Sequence, residues 1–458
     1  MTKKIAIYGG SFNPPRPAHR LMVEMMVREF GEVIVVPCGP RPDKLTTNDI
    51  DPIHRAAMAD MTFGGLPNVR VELFDLENAT FTRTHKLNEM FGGRGDVWHI
   101  VGSDLVKGGD KGQSFIQREW EHGPEIWNEF NFAVVRRHEA EISERDLPPR
   151  SKAFRTTLTG SSSEVRERVF RHKSVEYFVD SKVEDYIRRY GLYRGASVGN
   201  RAKLVLNEVR PMILTDDRNP KAGELARTTR LENSNDPNLI VVIGGDGFML
   251  HAIRTHWRRR LPFFGINTGT HGFLLNNFES SAVRELLCGK LITEIDQMPL
   301  LYIDITGISG AKREALAFND VWVRGDSGQT AWVEVEINGV RRIERLMADG
   351  ILAATPAGST AYAKSMGATP VLDVNAGTLT LVGNNVIQPA WKQTQIPLNS
   401  EVIWRNLDWK KRPLRCFVDG VDLGNIREVK IRKSRIAAAE LAISPERAEK
   451  IMSSQFAN

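Results

Sequence analysis

The sequence predicts an α/β protein in three parts: an open, mostly parallel sheet with helices on its faces, a shorter α/β stretch, and a β-rich half. Three observations carry that reading. Apolar strands and amphipathic helices alternate over residues 5–193, two strands run directly into glycine turns (IAIYGG at 5–10 and LIVVIGGDG at 239–247), and after Ile292 the texture changes to short alternating strands. Alternation of βα units implies a parallel sheet with ligands at the carboxyl ends of its strands. Short period-2 runs bounded by turns imply antiparallel strands.

In order, IAIY is a buried strand and LMVEMMVREF a helix, followed by strand EVIVVP, helix HRAAMADMTF and strand VRVELF. THKLNEMF is a helix, VWHIVG a strand, the stretch ending near WNEF a helix, and FAVVRR a strand. SSSEVRERVF carries serines where a helix needs an N-cap, and VEDYIRRYGLY closes the domain. GASVGN is small and polar enough for a linker. A second βα region starts near Ala202 with KLVLN and runs through IVVIGGDG to FFGINTG; LYIDITGI, WVEVEING, TLTLVGN, RCFVDG and REVKIRK then read as strands. The expected domains are 1–194, a linker at 195–201, an α/β part at 202–291 and a β-rich part at 292–445. No internal repeat or low-complexity tract is present.

Composition narrows the function classes. At 458 residues the chain is long enough for two or three cores, and 41% hydrophobic with 26% charged residues is ordinary for a soluble globular protein. No apolar run approaches the ~18 residues of a membrane span, and MTKKIAIYGG lacks the apolar core of a signal peptide. Three widely spaced cysteines, Cys38, Cys288 and Cys416, suit neither a disulfide framework nor a zinc site and point to a reducing cytoplasm. Cys38 reads as a structural thiol. The net charge of +6 suits anionic nucleotide ligands. The cluster RTHWRRR (254–260) reads as a solvated helix end rather than a nucleic-acid patch, for no RNP pattern, finger spacing or basic tail accompanies it.

The N-terminal turn GGSFNPPRPAH has neither a Walker lysine nor G-x-G-x-x-G spacing. Its glycines admit a phosphate close to the backbone, the following helix N-terminus favours anions, and His19 in that helix can donate to a phosphate oxygen. GGSFNPP with His19 resembles the G-x-F-[DN]-P-x-[HT]-x-x-H motif of the nicotinamide and nicotinic acid mononucleotide adenylyltransferases. VPCGPRPDK with Lys44, IHRAAM, VGSD at 101–104, FAVVRR, SSSEVR at 161–166 and VEDYIRRYGLY are similar to further motifs of that family, so the resemblance covers about residues 1–194. It implies a Rossmann-like nucleotidyltransferase domain in which a mononucleotide 5′-phosphate attacks the α-phosphate of ATP, with Mg²⁺ or another divalent cation on the leaving pyrophosphate. His19, Lys44 and Arg166 are the implied catalytic residues. Gly9, Ser11, Phe12, Asn13, Arg16, Gly102, Asp104, Ser161 and Ser162 are the implied nucleotide-binding ones. Arg16 stands where the family has His or Thr; arginine binds phosphate bidentately but is bulkier.

GGDG at 244–247 is short by itself, and Asp246 alone would read as a turn former or N-cap. Together with NTGTHGFL (267–274), FND (318–320), ADGILAATPAGSTAYAKSMG (348–367) and FVDG (417–420), it is similar to the NAD kinase family from about Lys203 onward. The resemblance implies transfer of the ATP γ-phosphoryl to the 2′-hydroxyl of the adenosine ribose of NAD. Asp246 is then the candidate base or the group that places Mg²⁺. Gly244, Gly245, Gly247 and His251 would meet phosphates, Asn319 and Asp320 the ribose of NAD, Asp349 the nicotinamide side, and Thr360, Ala361, Tyr362 and Ser365 the dinucleotide. No set of metal ligands can be assigned from the sequence.

Both resemblances together imply a bifunctional enzyme that builds NAD, or its deamido form, from ATP and nicotinamide or nicotinate mononucleotide and then phosphorylates NAD to NADP. A second reading is an NAD kinase whose N-terminal domain, impaired by Arg16, only binds or regulates. A third, a nucleic-acid binder, rests on charge alone. The expected partners are ATP, the mononucleotide and NAD, with no membrane, no nucleic acid, and by family a homo-oligomer formed through the kinase part.

Overall fold

The computed structural model describes residues 3–41, 44–137, 143–156, 160–195, 199–269 and 272–444. The chain divides into two compact units, Met1–Val198 and Gly199–Asn458. Parts of GASVGN and of NTGTHGFL, and the C-terminal boundary at residue 445, lie outside the described residues.

In the first unit six strands, β1 (Lys4–Gly10), β2 (Glu32–Pro37), β3 (Val69–Val71), β4 (Asp96–Gly102), β5 (Asn131–Arg137) and β6 (Ser151–Thr156), form one sheet. Their order is β3-β2-β1-β4-β5-β6 and every pairing is parallel. The chain therefore works outward from β1 to β3 and then jumps back to the other side of β1. The crevice beyond the carboxyl ends of β1 and β4 is the switch point where doubly wound sheets take ligands. All six residues of β2 are buried, as a strand covered on both faces requires. Helix α1 (Pro17–Phe30) starts with proline at its first turn, turns Met22, Val23, Met26 and Phe30 inward, and ends at Gly31 with φ 79°. Helix α2 (Pro52–Phe63) is capped by Asp51, which accepts from the Ile53 N–H. Ser161 caps the helix Ser162–Phe170 through the Glu164 N–H, as the serine run predicts. VRVELF is strand only as far as Val71. A short helix, Phe74–Asn78, replaces its end, because β3 is an edge strand and Phe74 packs on the β1–β2 core.

Two histidines are built into this unit uncharged. Burial lowers His99 to about 3 and His54 to about 4. His99 Nε2 lies 3.1 Å from Asn88 Oδ1, and a His54 ring nitrogen 2.9 Å from the Tyr186 hydroxyl. Both folded values lie below the unfolded value of ~6.5, so the unfolded chain binds the extra protons and stability falls as pH drops below ~6.5. Each histidine is expected to contribute about 1.4 kcal/mol per pH unit across the window from ~6 to ~4.5, above the carboxylate range. Amide exchange of β1 and β4 in the full chain measures this. His99→Gln should flatten the slope by about one proton, and an unchanged slope would refute the assignment.

The second unit begins with β7 (Arg201–Leu206), followed by β8 (Pro211–Thr215), β9 (Leu239–Gly244), β10 (Phe263–Asn267) and β11 (Leu291–Gly307). β8, β9 and β10 pair in parallel, with β9 buried throughout. β7 does not join them. It pairs antiparallel with the start of β11 (Leu291↔Leu206), so the region from Ala202 gives its first strand to the β-rich half. The strand Val421–Ile443 runs antiparallel along β11 and reaches β10, where Phe263 pairs with Leu441. The α/β and β-rich parts thus share one sheet, 15-stranded among the described residues. Asn276, fully buried, fastens the junction: its Nδ2 donates to Gly265 O and Ala442 O, and its Oδ1 accepts from the Ser444 N–H. The Arg254–Arg260 cluster is not a solvated helix end. Arg260 is buried, donates to Ile436 O and stacks on Trp257, while Arg254 reaches Asp419 O; only Arg258 and Arg259 are exposed among its arginines.

Candidate active sites

In the first unit, the carboxyl ends of β1 and β4 wall a cavity of about 310 Å³ lined by Gly9, Arg16, His19, Lys44, Gly102 and Asp104, among others. Three of the expected phosphate-binding side chains therefore share one opening. Arg16 lines it without closing it. The Arg16 N–H donates to His19 Nδ1 at 3.1 Å, so the neutral ring holds its proton on Nε2 as a donor. Lys44 Nζ donates to Ser11 Oγ at 3.1 Å, which draws the Lys44 loop over the glycine turn.

The turn itself is held rigidly. Phe12 is buried with φ 42°, a left-handed backbone that a bulky residue adopts only under constraint. Asn13 is buried, donates to Thr46 O at 2.7 Å and accepts from the Tyr193 hydroxyl at 2.6 Å. Arg166 Nη1 donates to Asn13 O at 2.7 Å and Ser162 Oγ to Pro14 O at 2.9 Å, so the serine-capped helix clamps the motif from the other side. Arg166 therefore acts here on the backbone of the turn and does not line the cavity. A second cavity of about 140 Å³ shares Gly9, Ile100, Val101 and Leu105 with the first and extends past Asp75, Phe81, Thr82, His99 and Trp120. The switch point thus offers two adjoining chambers.

Arg55, from IHRAAM, is the residue whose weight the sequence hid. It is 1% exposed, donates to Ser11 O (2.7 Å), Cys38 O (2.6 Å) and Thr47 O (3.0 Å), and ties the glycine turn to the β2 end and the Lys44 loop. Burial raises the Cys38 thiol, as befits a structural cysteine. Lysine cannot make Arg55's fork of contacts. Arg55→Lys is expected to lower the stability of this unit by about 3 kcal/mol, from buried carbonyls left unpaired, and to raise KM for nucleotides. Denaturant melts with steady-state kinetics check both.

In the second unit, Gly244 ends β9 and Gly245 precedes the helix Asp246–His256. The Asp246 carboxylate accepts from the backbone N–H groups of Phe273 (2.7 Å) and Leu274 (2.8 Å), and Thr268 N–H donates to Gly244 O. Asp246 therefore holds the segment after 271 against the glycine turn, and both its oxygens are already acceptors. His251 is exposed and packs on Phe248. Asp216, at the end of β8, lies beside Gly244, where an added Cβ would come within 3.2 Å of its own; the sequence had not singled it out.

Asn319 and Asp320 are buried at the head of the strand Asp320–Gly325. Asn319 Oδ1 is shielded from solvent with no hydrogen-bond partner, which makes it a ready acceptor for a ligand hydroxyl. The segment 355–360 is pressed onto this pair. Thr355 Oγ1 donates to Phe318 O at 2.7 Å, and a Cβ on Gly358 would lie 2.1 Å from Asn319 O, so only glycine fits. Thr360 donates to Ala357 O, and Tyr362 packs on Trp322 at 4.8 Å between ring centroids; Ala361 and Ser365 are exposed nearby. Asp349 is exposed, accepts from Asn385 Nδ2, and sits beside Gly325 at the far end of the strand from Asp320, roughly 16 Å away. Burial, and next the neighbouring Asp419 carboxylate, push Asp320 up to about 7.

Mg²⁺ takes oxygen ligands. Among the described residues the one cluster with metal-ligand spacing is His85, Glu121 and His122, and its two imidazoles do not suit that ion. Carboxylates that do suit it are Asp104 on the first cavity and Asp216 and Asp246 beside the second glycine turn. Among the described residues no helix is long and apolar enough to cross a membrane.

Residues 7–168 match the cytidylyltransferase-like family model, and residues 162–293 match that of the ATP-NAD kinase N-terminal domain. The chain is 34% identical over 226 residues to an NAD kinase of Xanthomonas campestris pv. campestris, covering 49% of this chain and 87% of the relative. An NAD kinase of Xylella fastidiosa is 33% identical over 225 residues, 48% and 85% of the two chains. A crystal structure of an NAD kinase from Archaeoglobus fulgidus in complex with ATP is similar at 23% identity, with 53% of this chain and 96% of that chain covered and a TM-score of 0.41. With most of a relative's length matched at this identity, the chain belongs to the NAD kinase family, joined here to a cytidylyltransferase-like domain.

Proposed function

We propose that the chain joins two successive transfers, adenylylation of nicotinamide or nicotinate mononucleotide and 2′-phosphorylation of NAD. The observation that carries the first is the cavity at the β1–β4 switch point, where Arg16, His19 and Lys44 meet around a glycine turn. Adenylyl transfer makes little covalent demand on a protein; it needs fixed donors and positive charge around the phosphorus. His19 Nε2, the Lys44 ammonium and the Arg16 guanidinium supply them, and Arg55 and Arg166 hold the turn that aims them. The adjoining chamber takes the mononucleotide and the larger one ATP.

In the second unit the phosphoryl donor lies against Gly244–Gly247, and Asn319 and Asp320 hold the ribose. Asp246 is the carboxylate that takes the proton of the 2′-hydroxyl. Asp104 in the first site and Asp216 in the second are the carboxylates that would hold Mg²⁺, which would supply positive charge against the phosphates. Uniting the two steps in one chain favours the nicotinamide form, whose adenylylation gives NAD directly.

The test gives the full chain ATP, Mg²⁺ and either mononucleotide, and follows products by chromatography. NADP formed from nicotinamide mononucleotide alone would support both activities. Conversion of added NAD with no dinucleotide from either mononucleotide would leave a kinase with a silent first domain and make Arg16 the suspect. No NADP from added NAD would sink the kinase half.

A further inference from the structure

A carboxylate with no assigned role lies directly behind the Asn319–Asp320 pair. Val418 pairs with Val421, so Asp419 and Gly420 are the two residues of a tight hairpin turn, and their φ values of 46° and 77° are those of a type I′ turn. Asp–Gly is a preferred sequence for that turn and would need no further explanation. The side chain does something the turn does not require. It folds inward, and its two oxygens accept from three consecutive backbone N–H groups: Phe318 (2.8 Å), Asn319 (2.8 Å) and Asp320 (3.1 Å). The Asp419 N–H in turn donates to Asp320 O at 3.0 Å.

We propose that Asp419 is a positioning residue for dinucleotide recognition: its carboxylate fixes the backbone of residues 318–320 and thereby the angle at which Asn319 and Asp320 meet the ligand. This rests on the kinase reading above. The same turn is held from the other side, because Arg254, on the helix that begins with Asp246, reaches Asp419 O at 3.5 Å. One hairpin turn therefore connects the helix of the phosphate turn to the ribose-holding pair.

The arrangement also has an electrostatic consequence. Among the described residues, the charged group acting on Asp320 is Asp419 and the one acting on Asp419 is Arg254, and both carboxyls are buried. Burial raises the Asp419 carboxyl above the usual carboxylate range, opposed only in part by its three N–H donors and Arg254. Burial, and next the Asp419 carboxylate, raise Asp320, so Asp320 gains its proton as pH falls through about 7. A protonated Asp320 accepts hydrogen bonds from ribose hydroxyls less well, so affinity for NAD weakens on the acid side.

The experiment measures equilibrium binding of NAD to the full chain by calorimetry from pH 5.5 to 8.5, for wild type, Asp419→Asn and Asp320→Asn, with thermal melts alongside. Wild type should bind with a midpoint near neutrality. Asp419→Asn removes the charge and sets an amide against N–H donors; its Kd should rise at least tenfold at pH 8 and its midpoint should move to lower pH. Asp320→Asn should abolish the midpoint. A lower melting temperature in Asp419→Asn with wild-type Kd and midpoint would show a merely structural residue and overturn the inference. So would Asp320→Asn keeping the wild-type midpoint, a result that stands even if Asp419→Asn fails to fold. Wild type not binding NAD at all would instead overturn the kinase reading.

Discussion

Replacing His19 by alanine is expected to lower adenylyl transfer about a thousandfold while leaving phosphorylation of supplied NAD unchanged. The imidazole lines the switch-point cavity with Nδ1 already accepting from Arg16 N–H, so Nε2–H is fixed as a donor before any nucleotide arrives. A preorganised donor aimed at developing charge contributes ~10²- to 10³-fold, and a group that also moves a proton up to ~10⁴-fold. Pyrophosphate release with nicotinamide mononucleotide and ATP reads the first activity; NADP formation from added NAD reads the second and reports that the chain is folded. A fall of less than tenfold would remove His19 from the catalytic set.

Asp246→Asn should cost NAD phosphorylation about 10²- to 10⁴-fold, chiefly in kcat, if its carboxylate accepts the 2′-hydroxyl proton. The hydrogen bonds from Phe273 and Leu274 give a sharp alternative, since they could be the whole purpose of the side chain. The two roles separate kinetically. Loss of a base lowers kcat with KM little changed, whereas loosening the 273–274 segment raises KM with kcat retained. The second outcome would reassign Asp246 as a loop anchor and leave Asp216, beside Gly244, as the carboxylate to test next.

Local periodicity and turn chemistry made most elements legible. Ser161 caps a helix as the serine run predicts, and the buried run EVIVVP is a strand because nothing but a doubly covered sheet would hide it, whereas the helices read from Leu21 and His54 begin earlier, at Pro17 and Pro52. Where periodicity was short or neighbours decided, the reading failed: the end of VRVELF turned into helix. The arginine cluster misled for a related reason. Sequence gives the charge of Arg254 and Arg260 but not the carbonyls of Asp419 and Ile436 that receive them.

The motifs by themselves determined which residues belong to each glycine turn, because backbone approach to phosphate demands glycine and a helix start at fixed local spacing. Only the tertiary structure decided what holds those turns. Arg55 acts across 44 residues on Ser11, and Asp419 across 100 on Asn319. The return of Val421–Ile443 to β10, which makes one sheet of the second unit, is a pairing between strands more than 150 residues apart. A short-range pattern records what a residue is and what its helix or strand requires. A buried guanidinium or carboxylate is stable only if distant backbone groups pair with it, and those partners are set by the folded chain.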